Sequence, residues 1–232
     1  MKIELKNVCV SFESGTELEK RALSDIDLNF DTSESILLVG NTGSGKTTLI
    51  YLLDLLIKPS YGTLLYDGKN PFNDAYNFRK KFGVAFQIPE RQFFNETVEQ
   101  EITYAARNFE IDYTYRDVLN ILNLFELDES ILKKSPFKLS GGEQRKIAIA
   151  SILLHKPEFL IFDEPTAGLD LSGILSIRKT LMNFRNENKG FLIATHEPEI
   201  FYDVCDRIVT LVNGRLVENR LLVEYQNRGD VD

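Results

Sequence analysis

Nine residues, Gly40-Asn41-Thr42-Gly43-Ser44-Gly45-Lys46-Thr47-Thr48, put three glycines, four hydroxyls and one lysine within a single short stretch. They fit Gly-x4-Gly-Lys-Thr, a loop whose glycines let the backbone curl around an anion with its N–H groups pointing inward. A helix beginning near Lys46 adds the positive end of its dipole and its unpaired donors. In such a loop Lys46 reaches the β- and γ-phosphates of a nucleotide, and the Thr47 hydroxyl ligates Mg²⁺. A second stretch, Phe159-Leu160-Ile161-Phe162-Asp163-Glu164, is an apolar run ending in two carboxylates. At the carboxyl edge of a parallel sheet Asp163 can hold Mg²⁺ opposite Thr47. Glu164 is then placed to polarise water for attack on the γ-phosphate. A glycine-rich turn or a solvated acidic strand end accounts for either stretch alone, but poorly for the two together. In a third stretch, Leu139-Ser140-Gly141-Gly142-Glu143-Gln144, Ser140 and Glu143 form a capping box. The two glycines between them cost helix stability and leave bare N–H groups, which suit a second anion contact.

These residues need elements to position them. The run Ile36–Val39 before the loop and Leu49–Leu53 after it predict a buried strand and a helix. Residues 2 to 10 alternate through Ile3, Leu5, Val8 and Val10, with a slip near Lys6-Asn7. They predict a strand with one wet face. Polar residues Glu13 to Arg21 predict an exposed hairpin loop leading to a second alternating run at Ile26, Leu28 and Phe30. Lys58-Pro59-Ser60-Tyr61-Gly62 stops the helix, and Thr63–Tyr66 with its Asp67-Gly68 turn predicts an exposed strand end. Phe82–Phe86 predicts a buried strand ended by Gln87-Ile88-Pro89-Glu90. Beyond it the apolar period turns helical, through Ile102, Ala105, Ala106 and Phe109 and again through Val118, Leu119, Leu122 and Phe125. The helix opened by Ser140 is expected to run on to His155-Lys156-Pro157, so residues of about 90 to 155 form a helical section. Phe159–Phe162, Phe191–Ala194 and Ile208–Val212 are continuous apolar runs alternating with helical segments, the pattern of a parallel sheet covered on both faces. Asn213-Gly214 turns the last run into a hairpin, and residues 224 to 232 predict a loose tail.

Composition narrows the classes. With 232 residues and 43% hydrophobic content the chain can bury a substantial core. Its formal charge of −8, without a long basic run, gives no reason to expect nucleic acid as a partner. Cys9 and Cys205 lie in apolar segments without metal-ligand spacing and are expected as buried thiols in a reducing compartment. Neither a leader nor a membrane-spanning stretch is evident, so any service to a membrane is expected from its surface.

The motifs together make a recognisable set: the chain resembles the ATP-binding cassette (ABC) ATPases over most of its length. The loop Gly40–Thr48, a Q-loop at Gln87, the signature Leu139–Gln144, the strand ending Asp163-Glu164, a D-loop Ala167-Gly168-Leu169-Asp170 and a switch His196 appear in family order. The resemblance implies an α/β P-loop NTPase core with a mostly parallel sheet, an antiparallel β subdomain and an inserted α-helical subdomain, spanning residues 1 to 223. It implies ATP hydrolysis with Mg²⁺ by a pair of such domains. Ser140, Gly141 and Gly142 of one contact in trans the γ-phosphate held by Lys46 of the other, and the D-loop Asp170 belongs to the nucleotide site. Gln87 is implied to contact Mg²⁺ and the attacking water, and His196 to bond the γ-phosphate and hold that water. Phe12 matches the family's adenine-stacking aromatic, although a Phe at the end of an alternating strand also suits a core.

Within that family, Phe86-Gln87-Ile88-Pro89-Glu90-Arg91-Gln92-Phe93-Phe94, followed by Glu96-Thr97-Val98, is similar to the extended Q-loop of energy-coupling-factor (ECF) transporter ATPases. Thr16 to Leu23 resembles their long first hairpin. These ATPases power uptake of vitamins or metal ions through a transmembrane coupling protein and a substrate-binding membrane protein. The resemblance implies a location on the cytoplasmic face of the cell membrane, with Glu90 to Phe94 forming part of the groove that receives the coupling protein. Phe93 and Phe94 can equally anchor the helical section. ECF ATPases commonly carry a further C-terminal segment, whereas this sequence stops at residue 232. The second ATPase is either the same polypeptide or a paralogue. Other expectations open at this point are an ATPase of a different ABC importer or exporter, and a non-transport ABC assembly or scaffold factor.

Overall fold

The computed structural model describes residues 1–13, 15–16, 20–88 and 92–222. Glu17 to Glu19 of the first hairpin, Pro89 to Arg91 of the Q-loop and the tail 224–232 lie outside the described residues.

The alternating N-terminal runs pair as antiparallel strands. β1 (Lys2–Phe12) lies between β2 (Lys20–Asp31) and β4 (Tyr61–Tyr66), in the order β2-β1-β4. The slip at Lys6-Asn7 is a bulge: Asn7 has φ 49° and the β1–β2 register shifts between Leu5 and Val8. β4 is less exposed than its sequence predicts. Leu64 and Tyr66 are buried, the Tyr66 hydroxyl donates to the Leu53 carbonyl, and its ring packs against Phe78 and Phe82 at 5.3 and 5.6 Å.

The second sheet holds β3 (Ser35–Val39), β5 (Phe82–Ala85), β6 (Phe159–Asp163), β7 (Gly190–Thr195), β8 (Arg207–Val212) and β9 (Arg215–Leu221) in the order β5-β6-β7-β3-β8-β9. All neighbours are parallel except β8 and β9, which are joined through Asn213-Gly214. Alternate residues of each strand serve opposite cores. Ile36, Leu38, Phe159 and Ile161 face α1 (Lys46–Leu53) and the antiparallel sheet. Leu37, Leu160 and Phe162 face the helical section and α6 (Leu171–Asn186).

A short α2 (Ala75–Arg79) precedes β5. The helical section comprises α3 (Val98–Asn108), α4 (Tyr115–Leu124) and α5 (Gly141–Ser151). α5 stops at Ser151, short of the expected His155. The chain tightens there into i→i−3 bonds, Ile152 N–H to Ile149 and Leu153 N–H to Ala150, and turns at Lys156 with φ 57°. That turn buries His155 against the Phe109 ring and the Phe82 carbonyl.

Because β3, β5, β6 and β7 are parallel, their carboxyl ends open on one edge. The chain leaves that edge at Gly40, Phe86, Glu164 and His196, and so brings distant motifs together.

Candidate functional site

The loop after β3 is built to leave donors unpaired. α3, α4 and α5 each carry a reciprocal capping box, formed by Thr97 and Gln100, Thr114 and Asp117, and Ser140 and Glu143. α6 is capped by Asp170, which accepts from the Gly173 N–H at 2.9 Å. α1 has neither a side-chain cap nor an acid in its first turn, so its N-terminal N–H groups stay available to an anion.

These groups face a cleft of about 440 Å³ lined by Phe12, Lys20, Arg21, residues 41–48, Gln87, Asp163, Glu164 and the Asn213-Gly214 turn. The Ser44 hydroxyl is buried without a protein partner in the middle of the loop, which fits a phosphate oxygen as its missing partner. Gly40 sits behind the loop, and its carbonyl accepts from Lys46 Nζ at 2.5 Å.

The hairpin turn shapes the loop from outside. Gly214 N–H donates to the Ser44 carbonyl at 2.9 Å, and the Gly214 carbonyl accepts from Ser24 N–H at 2.8 Å. In a planar trans peptide the C=O and N–H point in opposite directions. Holding the Ser44 carbonyl to the hairpin therefore turns the Gly45 N–H away from it. Gly214 has φ 76°, and a Cβ there would lie 2.5 Å from the Ala22 carbonyl oxygen.

The two carboxylates after β6 have different partners. Asp163 Oδ2 accepts from the Thr47 hydroxyl at 2.7 Å, and burial raises the Asp163 pKa above the usual carboxylate range. These neighbouring hard oxygens, with Gln87 across the cleft, are a donor set suited to Mg²⁺. Glu164 divides its two oxygens: Oε1 lies 3.6 Å from Lys46 Nζ, and Oε2 lies 2.8 Å from His196 Nδ1. The His196 backbone N–H also donates to Oε2, at 3.3 Å. Glu164 itself has φ 50°. A buried carboxylate between an ammonium and a largely exposed imidazole, next to a phosphate loop, can orient water and take its proton.

The cleft thus gathers Phe12, Asn41 to Thr48, Gln87, Asp163 and Glu164, with His196 attached through Glu164. Phe12 is 42% exposed, so its ring belongs to the cleft and not to a core. Ser140, Gly141, Gly142 and Asp170 do not line it. Gly141 and Gly142 have no intrachain reason to be glycine. Neither has a positive φ, a Cβ at Gly141 meets nothing within 4 Å, and one at Gly142 meets only the Gly168 carbonyl, at 3.9 Å.

In the extended Q-loop, Phe93 is buried against Phe137, while Phe94 is exposed and stacks edge-on against Tyr104 at 4.5 Å. Sequence reasoning missed Lys20 and Arg21 in the cleft wall, the strut at Gly214, and Arg145. The Arg145 guanidinium donates to the Gln87 carbonyl at 2.7 Å and to the Glu164 carbonyl at 2.9 Å. Only the charge of the first hairpin hinted at the first pair; the other two are contacts between distant residues.

Comparison with known proteins places this geometry. A family model described as ABC transporter matches residues 23–167. The energy-coupling factor transporter ATP-binding protein EcfA2 of Thermotoga maritima is 39% identical over 235 aligned residues, covering 99% of this chain and 86% of that protein. The dimeric post-hydrolysis structure of the ATP-binding cassette MJ0796, bound to ADP and Pi, superposes with a TM-score of 0.86 at 26% identity, covering 95% of this chain and 98% of that one. The structure of cbiO1 from Clostridium perfringens, part of the ABC transporter complex cbiONQ, superposes with a TM-score of 0.79 at 29% identity, covering 97% and 90%.

Proposed function

The chain belongs to the ABC transporter family, and within it to the energy-coupling factor transporter ATP-binding proteins; on that premise we propose how its cleft works and what it serves. It is an ATP-hydrolysing subunit of such a transporter. The triphosphate seats in the loop Gly40 to Thr48 against backbone N–H groups and the start of α1, with Lys46 on the β- and γ-phosphates. Phe12 offers its exposed face to the adenine. Thr47, Gln87 and Asp163 hold Mg²⁺, which when bound neutralises charge on the transferring phosphoryl group. Glu164 orients the attacking water and accepts its proton. His196, bonded to the same carboxylate, keeps it aimed and adds a donor toward the γ-phosphate.

Ser140, Gly141 and Gly142 act on the nucleotide of a second ATPase subunit, with Asp170 at the same junction. The support is that these glycines relieve no crowding inside their own chain, and that the similar MJ0796 cassette is dimeric. The partners are this second ATPase, a transmembrane coupling protein and a substrate-binding membrane protein for a vitamin or metal ion. No described helix is long and apolar enough to cross a membrane, and association is peripheral, through those partners.

The observation that carries the reading is the Lys46–Glu164–His196 chain beside the Thr47–Asp163 pair. Glu164→Gln tests it, with ATP binding retained and most turnover lost; turnover at the wild-type rate overturns the assignment. Co-purification from membranes, identifying every partner, tests the transport reading. Recovery of the chain in a complex without membrane proteins overturns it.

A further inference from the structure

We propose that Arg145 is a positioning residue for hydrolysis: its guanidinium ties the backbones of Gln87 and Glu164 together and so fixes the carboxylate of Glu164. The inference rests on the reading of Glu164 as the hydrolytic carboxylate.

Arg145 lies in the second turn of α5, and its two terminal nitrogens serve different elements. Nη1 donates to the Glu164 carbonyl at 2.9 Å and Nη2 to the Gln87 carbonyl at 2.7 Å. Those carbonyls follow the ends of β6 and β5, which are parallel neighbours paired at Ala85 and Phe162. A guanidinium presents its N–H groups in a fixed planar fork. Both bonds therefore form together only at one spacing of the two strand ends. A lysine ammonium, a point charge on a flexible stem, imposes no such spacing.

Glu164 needs this support. Its φ of 50° is the left-handed region, unfavourable for a residue that carries a Cβ, and such a conformation persists where its surroundings over-determine it. Its N–H donates to the Ala194 carbonyl at 2.8 Å, and its side chain is shared between Lys46 and His196. Besides Arg145, the Glu164 carbonyl receives the Ala167 N–H at 3.4 Å, a long contact. Removing the guanidinium leaves the peptide after Glu164 weakly held and lets the backbone relax toward conformations that carry the carboxylate off His196.

The placement also joins two sites. α5 begins at Gly141 and carries Ser140, Gly141 and Gly142 at its head, and Arg145 just behind them. A displacement of the helical section is transmitted through one side chain to the hydrolytic carboxylate and the Q-loop at once. Engagement of the signature residues by a partner thereby becomes a condition on Glu164 in their own chain.

The test compares Arg145→Gln, Arg145→Lys and Glu164→Gln in the full chain assembled with its partner ATPase, measuring ATP affinity, turnover and thermal midpoint. Arg145→Gln should lower turnover by about 10- to 100-fold, the range expected when a reacting group is misplaced by a fraction of an ångström to one ångström. ATP affinity should stay at the wild-type value, since the phosphate loop is untouched, and the thermal midpoint should fall only by the few degrees that two lost hydrogen bonds imply. Arg145→Lys, which keeps the charge and is the safer variant for folding, should recover only part of the turnover. Wild-type turnover in Arg145→Gln or Arg145→Lys, with Glu164→Gln inactive, overturns the proposal and leaves the reading of Glu164 standing. Loss of affinity and thermal stability in step with turnover also overturns it, by showing a purely structural role. Wild-type turnover in Glu164→Gln overturns that reading and the proposal with it.

Discussion

The Thr47 hydroxyl donates to Asp163 Oδ2 across 2.7 Å, fastening the first turn of α1 to the end of β6. The two oxygens are therefore already side by side before either meets a cation. Asp163→Asn keeps the shape and one oxygen but removes the charge. Its ATP affinity should fall about tenfold or more when Mg²⁺ is present, and stay unchanged in excess chelator. Titration of a fluorescent ATP analogue under both conditions checks this; equal losses with and without Mg²⁺ would argue against a metal role for Asp163.

Gly141 should be dispensable for the fold and indispensable for turnover. A Cβ there meets open space, and alanine in place of glycine in a helix is worth roughly 0.5–1 kcal/mol. Gly141→Ala is therefore expected to melt no lower than wild type and to bind ATP normally, yet to lose hydrolysis. In the wild-type protein, specific activity should rise steeply with protein concentration or on adding the partner ATPase. Activity per mole that is independent of concentration would contradict a shared site.

At Gly214 the expectation is reversed. A Cβ would lie 2.5 Å from the Ala22 carbonyl oxygen, so Gly214→Ala must shift the strut that holds Ser44. We expect ATP affinity to drop by roughly tenfold, together with a loss of about 1–3 kcal/mol of stability. Asn213→Gly, which keeps the positive φ of 49° open and leaves the Gly214 backbone in place, should change the melting midpoint much less. Paired melting curves and ATP titrations separate the two.

Asp54, at the carboxyl end of α1, supplies a pH test of the fold. Burial raises its pKa to about 7, with Arg79 opposing. Between the ordinary value of 3.8 and about 7 the folded chain binds the extra proton, so this group favours folding at low pH and loses that benefit as pH rises through about 7. Asp54→Asn resembles the protonated acid. It should be more stable than wild type by on the order of 1–3 kcal/mol at pH above 8, with the gap shrinking toward pH 5. Denaturant titrations at both pH values measure the gap, and a gap that widens on acidification would refute the sign.

Much of this molecule is legible in its sequence. Apolar runs around Leu37, Ile161 and Leu192 announced a sheet buried on both faces, and the slip in alternation at Lys6-Asn7 falls where β1 bulges, because both are local patterns. What escaped depends on distant neighbours. Tyr66 looks half-exposed until Phe78 and Phe82 close over it, and Leu64 until the core beneath the antiparallel sheet takes it in. α5 looks longer until the turn after Ser151 folds His155 inward. Residue types and spacing pointed to Lys46, Thr47, Asp163 and Glu164, whereas His196, Phe12 and Gln87 entered through the family pattern. Arg145 had no local mark, and the hairpin charge at Lys20 and Arg21 and the turn at Gly214 did not tell of the cleft, since each matters there only through what lies across a gap in sequence.

The bond from Gly214 to Ser44 has a consequence for how the protein is made. The phosphate loop belongs to the first strands of the parallel sheet, but the carbonyl that sets its shape is held by a turn synthesised long afterwards, and its acidic and imidazole partners arrive with β6 and β7. Parallel pairings of this kind close late, because each must bring together remote parts of the chain. A nascent chain on the ribosome therefore carries a complete nucleotide motif for most of its synthesis without the groups that hold that motif in shape. Competence to bind ATP becomes a report that β8 and β9 have docked, and the nucleotide itself, by binding only the finished fold, makes the last step of folding harder to reverse.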